Sequence, residues 1–81
     1  MTLIPLYGFV AGDTLGVLVL ATDTETIREV AIKLQQAVAV RIAPRVRAQI
    51  YAGGRLLDPA LTVAGAGLGA LDRIDLVGEE V

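Results

Sequence analysis

Apolar positions along the chain come in short blocks with two different periods. Leu3 to Val10 and Leu15 to Ala21 are dense in Ile, Val, Leu, Tyr and Phe, and Ala11-Gly12-Asp13-Thr14 between them is short and contains glycine. Two such runs joined in this way predict a β-hairpin. In the second run both alternating sets are apolar or small: Leu15, Val17, Val19 and Ala21 against Gly16, Leu18 and Leu20. Alternation therefore leaves either face free to be the interior one. At Thr26 the period changes. Thr26-Ile27-Arg28-Glu29 fits a capping box, in which the threonine hydroxyl accepts from the third helical amide and the glutamate reaches back to the cap. Ile27, Val30, Ala31, Leu34, Ala37 and Val38 then recur at spacings of three and four, which predicts a helix ending near Ala39 with one apolar stripe against the sheet.

Pro44 disfavours helical geometry at Ala43 and lacks an amide proton, so Arg41 to Arg45 reads as a loop. A third strand follows over Val46 to Ala52. Gly53-Gly54 supplies the positive φ of a tight hairpin turn, Arg55-Leu56-Leu57 forms a brief fourth strand, and Asp58-Pro59 turns the chain again. Asp72 to Val77 alternates cleanly, with Ile74 and Leu76 on one face. The order is ββαββ with a final β. It predicts an α+β fold, a mixed sheet of four to five strands packed on one α-helix.

A chain of 81 residues has room for one hydrophobic core, so residues 1–81 are expected to form a single domain. Hydrophobic residues make up 54% of it, well above an ordinary soluble domain, and a small domain leaves a large share of its surface in water. Part of that apolar surface is expected to need a partner. The net charge is −2, and the arginines and the single lysine, Lys33, are scattered, so no basic stripe exists for nucleic acid. No Lys or Arg precedes Arg28 and Asp13 interrupts the first apolar stretch, which reads as a folded hairpin rather than a signal peptide. The longest uninterrupted run there falls far short of the roughly 20 residues a membrane helix needs. Neither membrane insertion nor nucleic acid binding is expected. The absence of cysteine fits a reducing compartment, and a cytoplasmic location is expected.

The chain contains no His, Cys, Ser or Asn. Acyl transfer needs a nucleophile beside a base, and Thr, Tyr and Lys33 have no imidazole to activate them, so no catalytic residue is assigned. A transition-metal site usually draws on imidazole or thiolate, so neither a metal nor a cofactor is expected in this chain. Gly65-Ala66-Gly67-Leu68-Gly69-Ala70 imitates a dinucleotide fingerprint. That fingerprint requires a following helix, a second parallel strand and an acidic residue about 20 positions on, and too little chain remains for them. The segment reads as an irregular loop crossing under the sheet.

With this order of elements, the string Ile50-Tyr51-Ala52-Gly53-Gly54-Arg55-Leu56-Leu57-Asp58 resembles ubiquitin. Gly12-Asp13-Thr14, the helix start at Thr26, Leu61-Thr62-Val63 with Leu68, and Ile74-Asp75-Leu76-Val77 fall where ubiquitin-like β-grasp domains place their hairpin, helix and last strand. Ubiquitin-type conjugation or sulfur carriage requires a chain end in Gly-Gly, whereas Gly53-Gly54 lies within a hairpin and the sequence closes Gly78-Glu79-Glu80-Val81. No covalent conjugation is expected. A narrower resemblance is to the small B, or gamma, subunit of four-component diiron monooxygenases of the toluene-4-monooxygenase type. It rests on Ile4-Pro5, Arg41-Ile42-Ala43-Pro44-Arg45, Thr62-Val63-Ala64 with Gly67-Leu68, and Ile74 to Glu80. The resemblance implies a non-catalytic subunit docked on the large hydroxylase subunit, which holds both irons, in a complex oxidising aromatic hydrocarbons or alkenes. The alternative is a stand-alone ubiquitin-like interaction module.

Two surface elements are candidates for partner binding. Polarity alone turns Val46, Ala48 and Ile50 inward and leaves Arg47, Gln49 and Tyr51 in water. The ubiquitin resemblance instead turns Ile50 outward and Tyr51 inward, and we adopt that phase. It implies an apolar patch of Ile50, Val77 and residues of the first hairpin opposite the helix. Arg41, Arg45 and Arg47 flank Pro44, where a rigid backbone can offer guanidinium groups to partner carboxylates.

Overall fold

The computed structural model describes residues 2–43 and 46–79. Strands β1 (Leu3–Val10) and β2 (Val17–Thr22) form the first hairpin, helix α1 (Ile27–Val38) follows, and β3 (Val46–Ala52), β4 (Arg55–Leu56) and β5 (Arg73–Glu79) complete the order expected from the sequence. The sheet runs β2-β1-β5-β3-β4. β1 and β5 are parallel and every other neighbouring pair is antiparallel, so the first and last strands lie together at the centre. This is the ubiquitin-like β-grasp.

The helix begins as its capping box dictates. The Thr26 hydroxyl accepts from the Glu29 amide at 3.2 Å and the Glu29 carboxylate accepts from the Thr26 amide at 3.1 Å. Two more amides of the first turn are satisfied from elsewhere: Ile27 donates to the Leu61 carbonyl at 2.8 Å and Arg28 to the Pro59 carbonyl at 3.1 Å. The loop after β4 thus closes the helix N-terminus with its own backbone, leaving no orphan donors there for an anion. Within that loop Val63, Ala66 and Leu68 are buried, so the glycine-rich stretch is a set of turns anchored in the core.

One face of the sheet and one stripe of the helix make the interior. Leu6, Val10, Val19, Ala21, Ile74 and Leu76 point from the strands to Ile27, Val30, Leu34 and Val38 of the helix, all buried. Of the expected helical stripe only Ala37 is exposed. Fully burying each Leu or Ile contributes roughly 1.5–3 kcal/mol, which makes this layer the main source of stability. The inward set of β2 is Val17, Val19 and Ala21, which sends Leu18 and Leu20 to the opposite face. Gly53 and Gly54, at φ 58° and 77°, form the two-residue turn that pairs Ala52 with Arg55. Both positions need left-handed backbone, which is why two glycines stand there.

The phase adopted for β3 is corrected by the structure. Ile50 is 2% exposed and points into the core, opposite Leu76 in the β3–β5 register. Its neighbours Gln49 and Tyr51 pair with Val77 and Asp75, which share the outer face. The polarity of the strand was the better guide from Ala48 onward. Val46 departs from the polarity phase and faces outward because the register shifts between Val46 and Gln49, with Arg47 at φ 52°. One extra residue at such a bulge places Val46 and Gln49 on the same face.

Candidate interaction surface

The face of the sheet away from the helix carries the candidate surface, and the strand register fixes which side chains share it. β1 contributes Leu3, Pro5, Tyr7 and Phe9; opposite them β2 sets Leu20 against Pro5 and Leu18 against Tyr7. Leu18 and Leu20 are 60% and 59% exposed, and Leu3 and Tyr7 are exposed beside them. Four neighbouring large side chains in water form a contiguous patch, unlike the isolated exposed aliphatics of ordinary surfaces. The apolar patch expected on this face is therefore present, but it is centred on the first hairpin and excludes Ile50.

Alongside the patch the face becomes polar. The Tyr7 and Phe9 rings stack with centroids 5.4 Å apart, and the Arg73 guanidinium lies 4.1 Å from the centre of the Phe9 ring. Arg73 also pairs with Asp75 at 3.0 Å. A Cβ on Gly16 would collide with both rings, so the absence of a side chain there is what lets the stack lie down on the hairpin. The result is a rigid aromatic and guanidinium strip bordering the leucines, with Gln49 and Tyr51 of β3 beyond it.

The residues singled out in the sequence are divided among different settings. Val77 is 45% exposed on the outer face, but it lies one step past the end of β1, where Val10 pairs with Leu76, and so stands apart from Leu18 and Leu20. Arg41 does not offer an open guanidinium: its Nε and Nη2 both donate to Asp13 Oδ2, at 3.0 and 2.8 Å. This clamp ties the loop after the helix to the turn of the first hairpin. The Arg41 hydrogen bonds hold the Asp13 carboxyl below its ordinary range, against the opposing effect of desolvation. Arg47 is exposed at the bulge of β3. Pro44 and Arg45 lie outside the described residues.

A second ion pair fastens helix to sheet edge. Lys33 donates to Glu25 at 2.7 Å and to the Leu20 carbonyl at 3.0 Å, while Glu25 accepts from the Thr22 amide at 2.8 Å. The Lys33 hydrogen bond, followed by that from Thr22, lowers the Glu25 carboxyl. Among the described residues no three potential ligands converge on a metal position, and no helix is long and apolar enough to cross a membrane.

The model of toluene-4-monooxygenase system protein B (TmoB) matches residues 3–77. The chain belongs to the TmoB family. It is thus a small component of a monooxygenase system. A chain of the toluene 4-monooxygenase HD complex, solved with the inhibitor 4-bromobenzoate, superposes with a TM-score of 0.87 at 27% identity, covering 96% of this chain and 100% of that one. Ubiquitin of Caldiarchaeum subterraneum has a TM-score of 0.78 at 17% identity, covering 99% of this chain and 98% of that one. The ubiquitin-like domain of an Arabidopsis thaliana protein has 0.74 at 18% identity, covering 100% of this chain and 82% of that one. The last two share the β-grasp fold with this chain. No curated protein sequence matches it.

What the sequence missed was the position of the patch. Leu18 and Leu20 are one of the two alternating sets of β2, and their outward phase follows once Leu6 and Val19 are paired across the hairpin with Leu6 inside.

Proposed function

We propose that this TmoB-family chain is a non-catalytic small subunit of a multicomponent diiron hydrocarbon monooxygenase, docking on the large iron-holding subunit through the outer face of β1 and β2. The observation that carries this reading is the exposure of Leu18 and Leu20 beside Leu3 and Tyr7 on a face that no element among the described residues covers. Stable protein interfaces bury about 800 Å² per partner and are anchored by apolar and aromatic groups with polar side chains around them. Two exposed leucines and a tyrosine, bordered by the Arg73–Asp75 pair, have that composition. Val77 and Arg47 lie farther along the sheet and can extend the contact at its edge.

Co-expression with a large, iron-holding hydroxylase subunit of a TmoB-containing monooxygenase system, followed by affinity capture, tests this reading. The wild-type chain is expected to be retained. A Leu18→Asp/Leu20→Asp variant is expected to lose retention while keeping its thermal midpoint, because both side chains already stand in water. Retention of the double variant at the wild-type level would remove the outer face from the interface. Failure of the wild-type chain to be retained would instead favour a stand-alone interaction module.

A further inference from the structure

The exposed leucines stand on β2, which is an edge strand of the sheet, and an edge strand presents backbone groups to which another strand can add. In the hairpin register Leu18, Leu20 and Thr22 are alternate residues opposite Tyr7, Pro5 and Leu3. Pro5 has no amide proton to exchange with Leu20, so these three residues form the set whose N–H and C=O groups point away from β1, toward the edge. A second copy of this chain pairing antiparallel there would join two five-stranded sheets into one. It would also set the Leu18 and Leu20 side chains of the two copies against each other across the seam. The apolar patch therefore favours the same association that an open edge invites.

Half of that edge is already occupied. The Leu20 carbonyl accepts from Lys33 Nζ at 3.0 Å, the Thr22 amide donates to Glu25 Oε1 at 2.8 Å, and the Thr22 carbonyl accepts from the Glu25 amide at 3.1 Å. Lys33 Nζ and Glu25 Oε1 are 2.7 Å apart, with the two side chains 42% and 16% exposed, so each holds the other over the strand. An incoming strand has to displace a paired charge to reach either group, and doing so strips water from an ammonium and a carboxylate at once.

We propose that Lys33 and Glu25 form a guard on the β2 edge, which prevents strand pairing with a second copy and so keeps the Leu18–Leu20 face from being buried in a homodimer. Lys33 supplies the donor that satisfies the Leu20 carbonyl, and Glu25 supplies the acceptor that satisfies the Thr22 amide. Without them one acceptor and one donor on the same side of β2 become available to an added strand. The guard stands whether or not the outer face docks a hydroxylase.

The test is sedimentation of the full chain over a concentration series, with amide hydrogen exchange to locate the contact. The wild-type chain is expected to show no association at the β2 edge, and its Thr22 amide is expected to exchange at least about tenfold more slowly than the Leu18 amide of the same set. Lys33→Met uncovers the Leu20 carbonyl. Glu25→Ala/Lys33→Met uncovers the Thr22 amide as well, without leaving either charge alone. The single variant is expected to tighten self-association at least about threefold and the double variant at least about tenfold, because one and two backbone groups regain strand partners. Leu18 and Leu20 amides should gain protection as concentration rises, and Leu18→Asp added to the double variant should reverse the effect by bringing carboxylates together across the seam. Thr26→Ala, which loosens the helix start and leaves the guard in place, should not associate at the β2 edge. A double variant that keeps the native far-ultraviolet spectrum and does not associate would overturn the proposal. So would association of Thr26→Ala equal to that of the double variant, protection confined to residues outside β2, or wild-type pairing through the β2 edge. A wild-type Thr22 amide that exchanges as fast as that of Leu18 would overturn it without any variant.

Discussion

Ile50 separates the two possible phases of β3 by energy as well as by geometry. It is 2% exposed and sits opposite Leu76 beneath the helix. Ile50→Ala removes Cγ1, Cγ2 and Cδ1, a transfer loss of roughly 0.8 kcal/mol for each carbon group, or about 2.4 kcal/mol in total. In a closed core a cavity term adds to this and Ile→Ala reaches as much as about 5 kcal/mol. Here Ile50 also borders the groove between α1 and β3, so the vacated space opens toward solvent and neighbours can settle into it. The expected loss is therefore about 2.5–3.5 kcal/mol, toward the lower part of the range for such truncations. Urea unfolding of the isolated chain, followed by circular dichroism, measures it directly. With a slope of about 1 kcal/mol/M for a domain of this size, the midpoint should fall by about 2.5–3.5 M. Ile50→Asp should not fold at all, since an unpaired carboxylate would be buried. If Ile50→Ala stays within about 0.5 kcal/mol of wild type, the range of ordinary surface substitutions, the inward phase of β3 is wrong.

Other outcomes test the remaining elements. Thr26→Ala should cost about 1 kcal/mol in urea unfolding, because it removes one half of an intact capping box. Asp13 and Glu25 have lowered carboxyl pKa values, so their contribution is present above the unfolded-state value of about 4 and is lost as pH falls through the depressed folded values. The thermal midpoint should accordingly be level from pH 7 to about 5 and drop below about pH 4, where these carboxyls protonate in the unfolded chain before they do in the folded one. Arg41→Met should lower the midpoint at pH 7 and converge with wild type in acid, a difference read by melting both proteins across the pH series. Gly16→Ala should displace the Tyr7–Phe9 stack while the core persists, which near-ultraviolet circular dichroism would register as a changed aromatic band with an unchanged far-ultraviolet spectrum.

Much of the fold was legible because local chemistry and pattern agreed. Thr26 and Glu29 marked the helix start, the three-and-four spacing marked its buried stripe, and Gly53-Gly54 marked a turn that requires positive φ. The alternation of Asp72 to Val77 put Ile74 and Leu76 on one face, and that face is the buried one. The ending of the helix near Ala39 and the order of elements followed from the same signals. Each of these is decided within a few residues of chain, where spacing and backbone preference are enough.

Position on a shared surface was decided only when strands met. Both alternating sets of β2 are apolar, so nothing local separates Leu18 and Leu20 from Val17 and Val19; pairing with β1, whose Leu6 and Val10 are inside, does. Ile50 was assigned outward by likeness to ubiquitin, and the β3–β5 register, broken by the bulge before Gln49, put it inward. Arg41 could not be separated in sequence from a partner-facing arginine because Asp13, its acceptor, lies 28 positions away and meets it only after the helix packs. The composition by itself determined that this chain has apolar surface beyond what its core encloses. Tertiary structure decided where that surface lies, because side-chain direction in a sheet is a property of paired strands and a single strand does not carry it.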